Sequence, residues 1–174
     1  MNAPLVKVPL RYGLIAGALG FVLTIVLYYY FQHPLLIPPY IDFRVFLFGI
    51  FIFFALKELR DYYFDGVLYF WQGMIAALIL TAVFAVVASA ALLVFMRMDP
   101  DFLADYIRLS TEYLQSLPTD IIDRIGKEQY ERNLEQLPST NAIDVAFTWL
   151  VQSFIISFFL SVILSVILRR QPKT

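Results

Sequence analysis

The chain contains no cysteine and a single histidine among 174 residues. The missing thiols exclude disulfides, thiolate metal sites and cysteine nucleophiles together, and one histidine excludes a histidine-rich metal site or an HExxH helix. Charge is scarce as well. Only 16% of residues are charged, and 13 Lys and Arg against 14 Asp and Glu leave a net charge of −1. That lacks the basic excess of a nucleic-acid binder, so no nucleic acid is expected as a partner. Glycine-rich phosphate loops and the GxSxG elbow are also missing, which removes support for nucleotide-dependent or hydrolase chemistry. No cofactor, no metal and no enzymatic activity are expected. What the sequence has in excess is apolar surface: 60% of residues are hydrophobic and the mean hydropathy is +0.73, against roughly 45–50% apolar residues in a soluble domain.

Uncharged apolar runs decide the architecture, because a hydrocarbon core of about 30 Å takes about 20 helical residues to cross. Tyr12–Phe31, Val67–Met96 and Val145–Leu168 hold no charged residue, and each is long enough. Val45–Leu56 is shorter, but Arg44, Lys57 and Arg60 can send their heads to the interfaces along apolar stems. The expectation is an all-α, integral membrane four-helix bundle forming one membrane domain over 1–174, with spans at about 12–31, 43–60, 68–96 and 143–168. A re-entrant or interfacial second segment is the alternative. The phenylalanines of that segment, Phe43, Phe46, Phe48, Phe51, Phe53 and Phe54, suggest a lipid-facing, peripheral helix.

Charge asymmetry points the same way, since Lys and Arg collect on the cytoplasmic side. Lys7 and Arg11, then Lys57 and Arg60, then Arg169, Arg170 and Lys173 fall on one side of a four-pass arrangement. Opposite them lie the short connection with His33, Pro34, Pro38 and Pro39, and the segment from Arg97 to Asn141, whose five basic residues are outnumbered by nine acids. Both termini are therefore expected in the cytoplasm. The exit of the first run, Tyr28-Tyr29-Tyr30-Phe31-Gln32-His33-Pro34, lacks the small residues of a signal-peptidase site, so that helix is expected to stay. Its tyrosines, with Trp71 and Trp149, suit an interfacial belt.

Lipid gives helices little hydrophobic reason to associate, so small residues mark the contacts. The first span carries Gly13 and Gly17, beside Ala16 and Gly20. The third carries Gly73, Ala77, Thr81, Ala85 and Ser89, and the fourth Ser153, Ser157, Ser161 and Ser165. These are read as helix-packing seams; a polar conduction path along the serines is the alternative.

Between the third and fourth spans, at about 99–137, the pattern turns amphipathic and predicts an extra-cytoplasmic helical segment. Asp99-Pro100 reads as a cap and first helical residue. Phe102, Leu103, Tyr106, Ile107, Leu109, Tyr113, Leu114 and Leu117 then recur on one face until Pro118, and a weaker helix spans about Asp120–Glu135, softened by Gly126. Asn141 with Asp144 resembles a capping start for the last span. The apolar face at Phe102, Tyr106, Tyr113 and Leu117 is a candidate partner surface, against packing within the segment or on the membrane. Elsewhere the bland readings lead: His33 as an interfacial residue, Asp99/Asp101 and Asp120/Asp123 as helix caps, and Lys57, Glu58, Arg60 and Asp61 as an interfacial anchor that can touch lipid headgroups.

One order of features is recognisable. Asp65-Gly66-Val67-Leu68-Tyr69-Phe70-Trp71-Gln72-Gly73 leads into the third span, Met98-Asp99-Pro100-Asp101-Phe102 follows it, and a serine-bearing last span ends at Arg169-Arg170. Over nearly the whole chain this resembles the bacterial membrane proteins grouped as domain of unknown function 4199. The resemblance implies a four-helix inner-membrane protein and carries no activity. The expected role is an assembly, accessory or scaffold one, exercised through contacts with membrane lipid and with a membrane protein partner or further copies of the chain. A small oligomeric transporter or channel is the runner-up.

Overall fold

The computed structural model describes residues 3–38 and 41–171. The described chain is all-α, with seven helices: α1 Ala3–Tyr30, α2 Phe43–Glu58, α3 Phe70–Met98, α4 Pro100–Gln115, α5 Thr119–Ile125, α6 Lys127–Gln136 and α7 Ala142–Leu168. Three of them, α1, α3 and α7, are long and apolar enough to cross a membrane. Helix α2 has 16 residues but continues without a break into a π-helical turn, Leu59–Tyr63.

Helix α3 lies between α1 and α7, and α2 packs against all three. This follows from residue size. Between Gly73 and Ser89 the buried positions of α3 are Gly73, Ala76, Ala77, Leu80, Thr81, Phe84, Ala85, Ala88 and Ser89, mostly too small to hold a neighbouring backbone away. Helix α2 fills the remaining side with Leu47, Phe48, Ile52, Ala55 and Leu56, all buried. Its phenylalanines therefore divide. Phe48 is fully buried, its ring centroid 4.6 Å from that of Phe84, while Phe46 is 71% exposed. The expectation of a peripheral phenylalanine helix fails for Phe48, which turns into the bundle and packs its ring on the buried Phe84 of α3.

Large apolar side chains also cover the outside of the bundle: Val22 on α1, Ile50 on α2, Val86 on α3, and Phe147, Phe159 and Ile163 on α7 are each at least half exposed. A belt of this kind requires an apolar solvent.

The end holding the start of α1 and the last turn of α7 is clamped. Glu58 accepts from Arg11 Nη2 at 2.7 and 2.8 Å and from the Tyr12 hydroxyl at 2.9 Å. Leu68 and Arg170 exchange backbone hydrogen bonds of 3.0 and 2.9 Å. At the other end, Gly126 separates α5 from α6 with φ 96°, a backbone conformation open to glycine and strained for other residues. Neither α5 nor α6 has a buried residue. The α7 start is a capping box, with Asn141 Oδ1 accepting from the amides of Ile143 and Asp144 while Asp144 Oδ2 accepts from the Asn141 amide. Asp99 stands before α4 without capping it; its carboxylate accepts instead from the Tyr29 hydroxyl at 2.7 Å.

Candidate functional site

The glycines of α1 meet α3 backbone. A Cβ on Gly13 would lie 2.7 Å from the Leu80 carbonyl oxygen and 2.8 Å from Val83 Cβ, and one on Gly17 would lie 3.0 Å from Val87 Cβ. Gly20 faces the Phe84 ring. Helices α3 and α7 run antiparallel: a Cβ on Gly73 would lie 2.8 Å from Ser165 Oγ, and the Thr81 and Ser157 hydroxyls bond each other. That register sets Ala77 level with Ser161 and Ala85 level with Ser153. The serines also bond back along their own helix, Ser153 to the Trp149 carbonyl at 2.8 Å and Ser161 to the Ser157 carbonyl at 2.7 Å, as hydroxyls in apolar helices do. Ser153, Ser157, Ser161 and Ser165 are all buried, as is Ser89, whose hydroxyl has no partner among the described residues.

The unforeseen constellation lies at the top of α2. Asp42 and Arg44 are each about 3% exposed and form an ion pair at 2.6 Å. Every guanidinium N–H is used. Nε and one Nη2 hydrogen go to the Asp42 carboxylate, the other Nη2 hydrogen to Gln152 Oε1 at 3.0 Å, and Nη1 to the Trp149 carbonyl and Ser153 Oγ, both at 3.2 Å. The guanidinium also stacks 3.7 Å above the Trp149 ring. Asp42 Oδ1 caps α2 through the Arg44 amide at 2.8 Å. Arg44 thus turns inward, and the expectation that it extends to the interface is corrected: a carboxylate two residues away and acceptors on α7 satisfy it better than a long reach to water. A buried charge is tolerated when paired and fully hydrogen-bonded. The sequence signal was present but unread, in an Asp-x-Arg opening an unusually short apolar run and a lone amide, Gln152, inside the last span.

A cleft of about 540 Å³ opens beside this pair, lined by Asp42, Arg44 and Gln152 and walled by Pro34, Ile37, Tyr113 and Ile155. Immediately below, Ile155 also borders an apolar groove of about 350 Å³ formed with Leu78, Phe154, Phe158 and Phe159.

The second buried polar group is His33, 4% exposed. Its Nε2 lies 3.0 Å from the Phe102 carbonyl, so Nε2 carries the proton and donates. Nδ1 is left without a partner among the described residues. Tyr28, Phe102 and Tyr106 surround the ring, and burial pushes the His33 pKa down. His33 is thus a core residue rather than an interfacial one. Nearby, Arg108 holds the Asp105 carboxyl below its usual range through a hydrogen bond.

Of the candidate partner face, Phe102 is corrected. It is fully buried against Tyr28, His33 and Phe95, because α4 folds back over the end of the bundle. Tyr106 and Leu117 are half-buried, and Tyr113 is exposed. No group of three or more His, Cys, Asp or Glu side chains able to hold a metal ion occurs among the described residues.

No curated protein and no solved structure matches the chain. The family described as "Protein of unknown function (DUF4199)" matches residues 11–170, and that match takes in α2 to α7 whole, the Asp42–Arg44 pair and the larger part of α1. With almost its whole length covered, this apolar helical chain belongs to the DUF4199 family.

Proposed function

We propose that the protein is a four-pass component of the bacterial inner membrane, with both termini and the 64–69 connection cytoplasmic and α4–α6 outside, acting through contacts with lipid and protein and without catalysis of its own. Helix α2 supports the fourth crossing. It packs along α1, α3 and α7, its lower end is tied to α1 by Arg11–Glu58, and Phe46 and Ile50 face outward from it. A helix embedded among membrane-length helices shares their solvent.

The observation that carries the contact reading is the internal satisfaction of Arg44. Ionisable groups within spans commonly mark ion or proton paths when they face a hydrated cavity, whereas this guanidinium has all its donors committed to Asp42, Gln152, Trp149 and Ser153. Below it the α3–α7 seam is closed by direct side-chain contact, which weighs against a conduction path along the serines.

The test is purification in mild detergent from the native host, with mass spectrometry of what co-purifies, alongside solute and ion flux in proteoliposomes. Stoichiometric protein or lipid with no flux is expected. Flux above that of empty vesicles contradicts the reading and favours the transporter alternative.

A further inference from the structure

We propose that the cleft at Asp42–Arg44 and the apolar groove below it form one binding site for a zwitterionic phospholipid from the leaflet distal to the chain termini. The inference rests on the reading that the long helices cross the bilayer, and it names the lipid that reading requires.

Depth is the first argument. Arg44 lies fourteen residues above Glu58, about 21 Å at 1.5 Å per residue, and Ser153 lies about 22 Å above Leu168 by the same measure. In a core of about 30 Å both fall in the leaflet away from the termini. Phe158, about 15 Å above Leu168, is at the bilayer centre. The two depressions share Ile155, which is 57% exposed. Together they run from a polar floor down to the midplane, the course of one acyl chain below its headgroup.

Charge is the second argument. Asp42 and Arg44 cancel, and among the described residues the only other titratable side chain lining the cleft is Tyr113. An anionic head would bring an uncompensated charge into a site whose one cation is already used, at a high cost in low dielectric. A hydrocarbon chain alone would leave the carboxylate and the Gln152 amide facing apolar matter. A net-neutral dipolar head meets both conditions. About 540 Å³ is the scale of a small-molecule pocket, sufficient for a head and not for a whole lipid, so the chain has to continue past Ile155.

The test uses the full chain, delipidated in detergent, offered phosphatidylethanolamine or phosphatidylglycerol and read by native mass spectrometry. One retained phosphatidylethanolamine per chain is expected, in preference to phosphatidylglycerol. Ile155→Trp blocks the junction at a half-exposed site and should cut retention about tenfold or more, while Phe46→Trp, equally bulky on the exposed face of α2, should not. Asp42→Asn leaves Arg44 uncompensated and should invert the preference towards phosphatidylglycerol. Soluble glycerophosphoethanolamine should not compete, because it lacks the chain. Equal retention of the two lipids, unchanged retention in Ile155→Trp, competition by the soluble head, or a dimer in place of a lipid adduct would each overturn the proposal. Flux in proteoliposomes would overturn the contact reading and leave these ratios unmoved, so the two failures are separable.

Discussion

The two faces of α3 reach close helix contact by different means. Towards α1, Gly13 and Gly17 remove side-chain atoms so that carbonyls and branched side chains of α3 fit the space. Towards α7, Thr81 and Ser157 keep their side chains and bond each other, with Gly73 yielding room to Ser165. The first face is held by shape, the second by shape and hydroxyl pairing. In lipid the shape term should dominate, because a hydroxyl in an apolar helix finds an alternative acceptor on its own backbone. Added volume should therefore harm both faces far more than removal of a hydroxyl harms either.

The largest effect is expected from Gly13→Leu, where the nearest atoms include backbone that has no room to move. A loss of about 3 kcal/mol in an SDS-unfolding titration, the upper range of overpacking costs, would support the glycine face as a fixed contact. Ala85→Phe, at a fully buried position on the other face, should cost a similar amount, and unchanged detergent stability there would break the comparison. Gly73→Ala should be milder, about 1 kcal/mol, because the closest atom is the Ser165 hydroxyl, which can rotate. Ser157→Ala should be smaller still, about 0.6 kcal/mol, since Thr81 Oγ1 keeps its 2.9 Å bond to the Ala77 carbonyl.

A last, smaller effect sharpens the contrast between these dry seams and the outer end. Burial lowers the His33 pKa, so below about 6.5 the unfolded chain binds a proton that the folded chain resists. The stabilising contribution is present above that pH and is lost as pH falls through the lowered folded value. Thermal melts from pH 8 to pH 5 should show the decline in the parent protein and a weaker one in His33→Gln. A decline of equal size in both would assign it to groups other than His33.

The long helices and the capping box were legible because they rest on local signals: uninterrupted apolar length, and Asn141 three residues before Asp144. The small-residue stripes were legible as stripes, but which helix each one meets depends on three-dimensional register, and only the fold pairs Gly73 with Ser165 and Gly13 with Leu80. Arg44 was misread because isolated positions favour snorkelling, whereas the acceptors on α7 lie more than a hundred residues away in the chain. Phe102 was misread for a related reason. An amphipathic face announces that something covers it, and here the cover is the chain's own Tyr28 and His33. The cleft beside Asp42 had no sequence signature, since its walls come from the 34–38 turn, α4 and α7.

The absence of native cysteine means that a single introduced cysteine is the only thiol of this chain a maleimide can label, and the four-pass arrangement is the claim most directly open to such labelling. Cysteines replacing Lys7, Gln32, Asp65 and Gln129 should divide by side. Gln32→Cys and Gln129→Cys should react with an impermeant maleimide from outside, and Lys7→Cys and Asp65→Cys only after permeabilisation. Labelling of positions 32 and 65 from the same side would mean that α2 does not cross, and the account would be wrong at its centre.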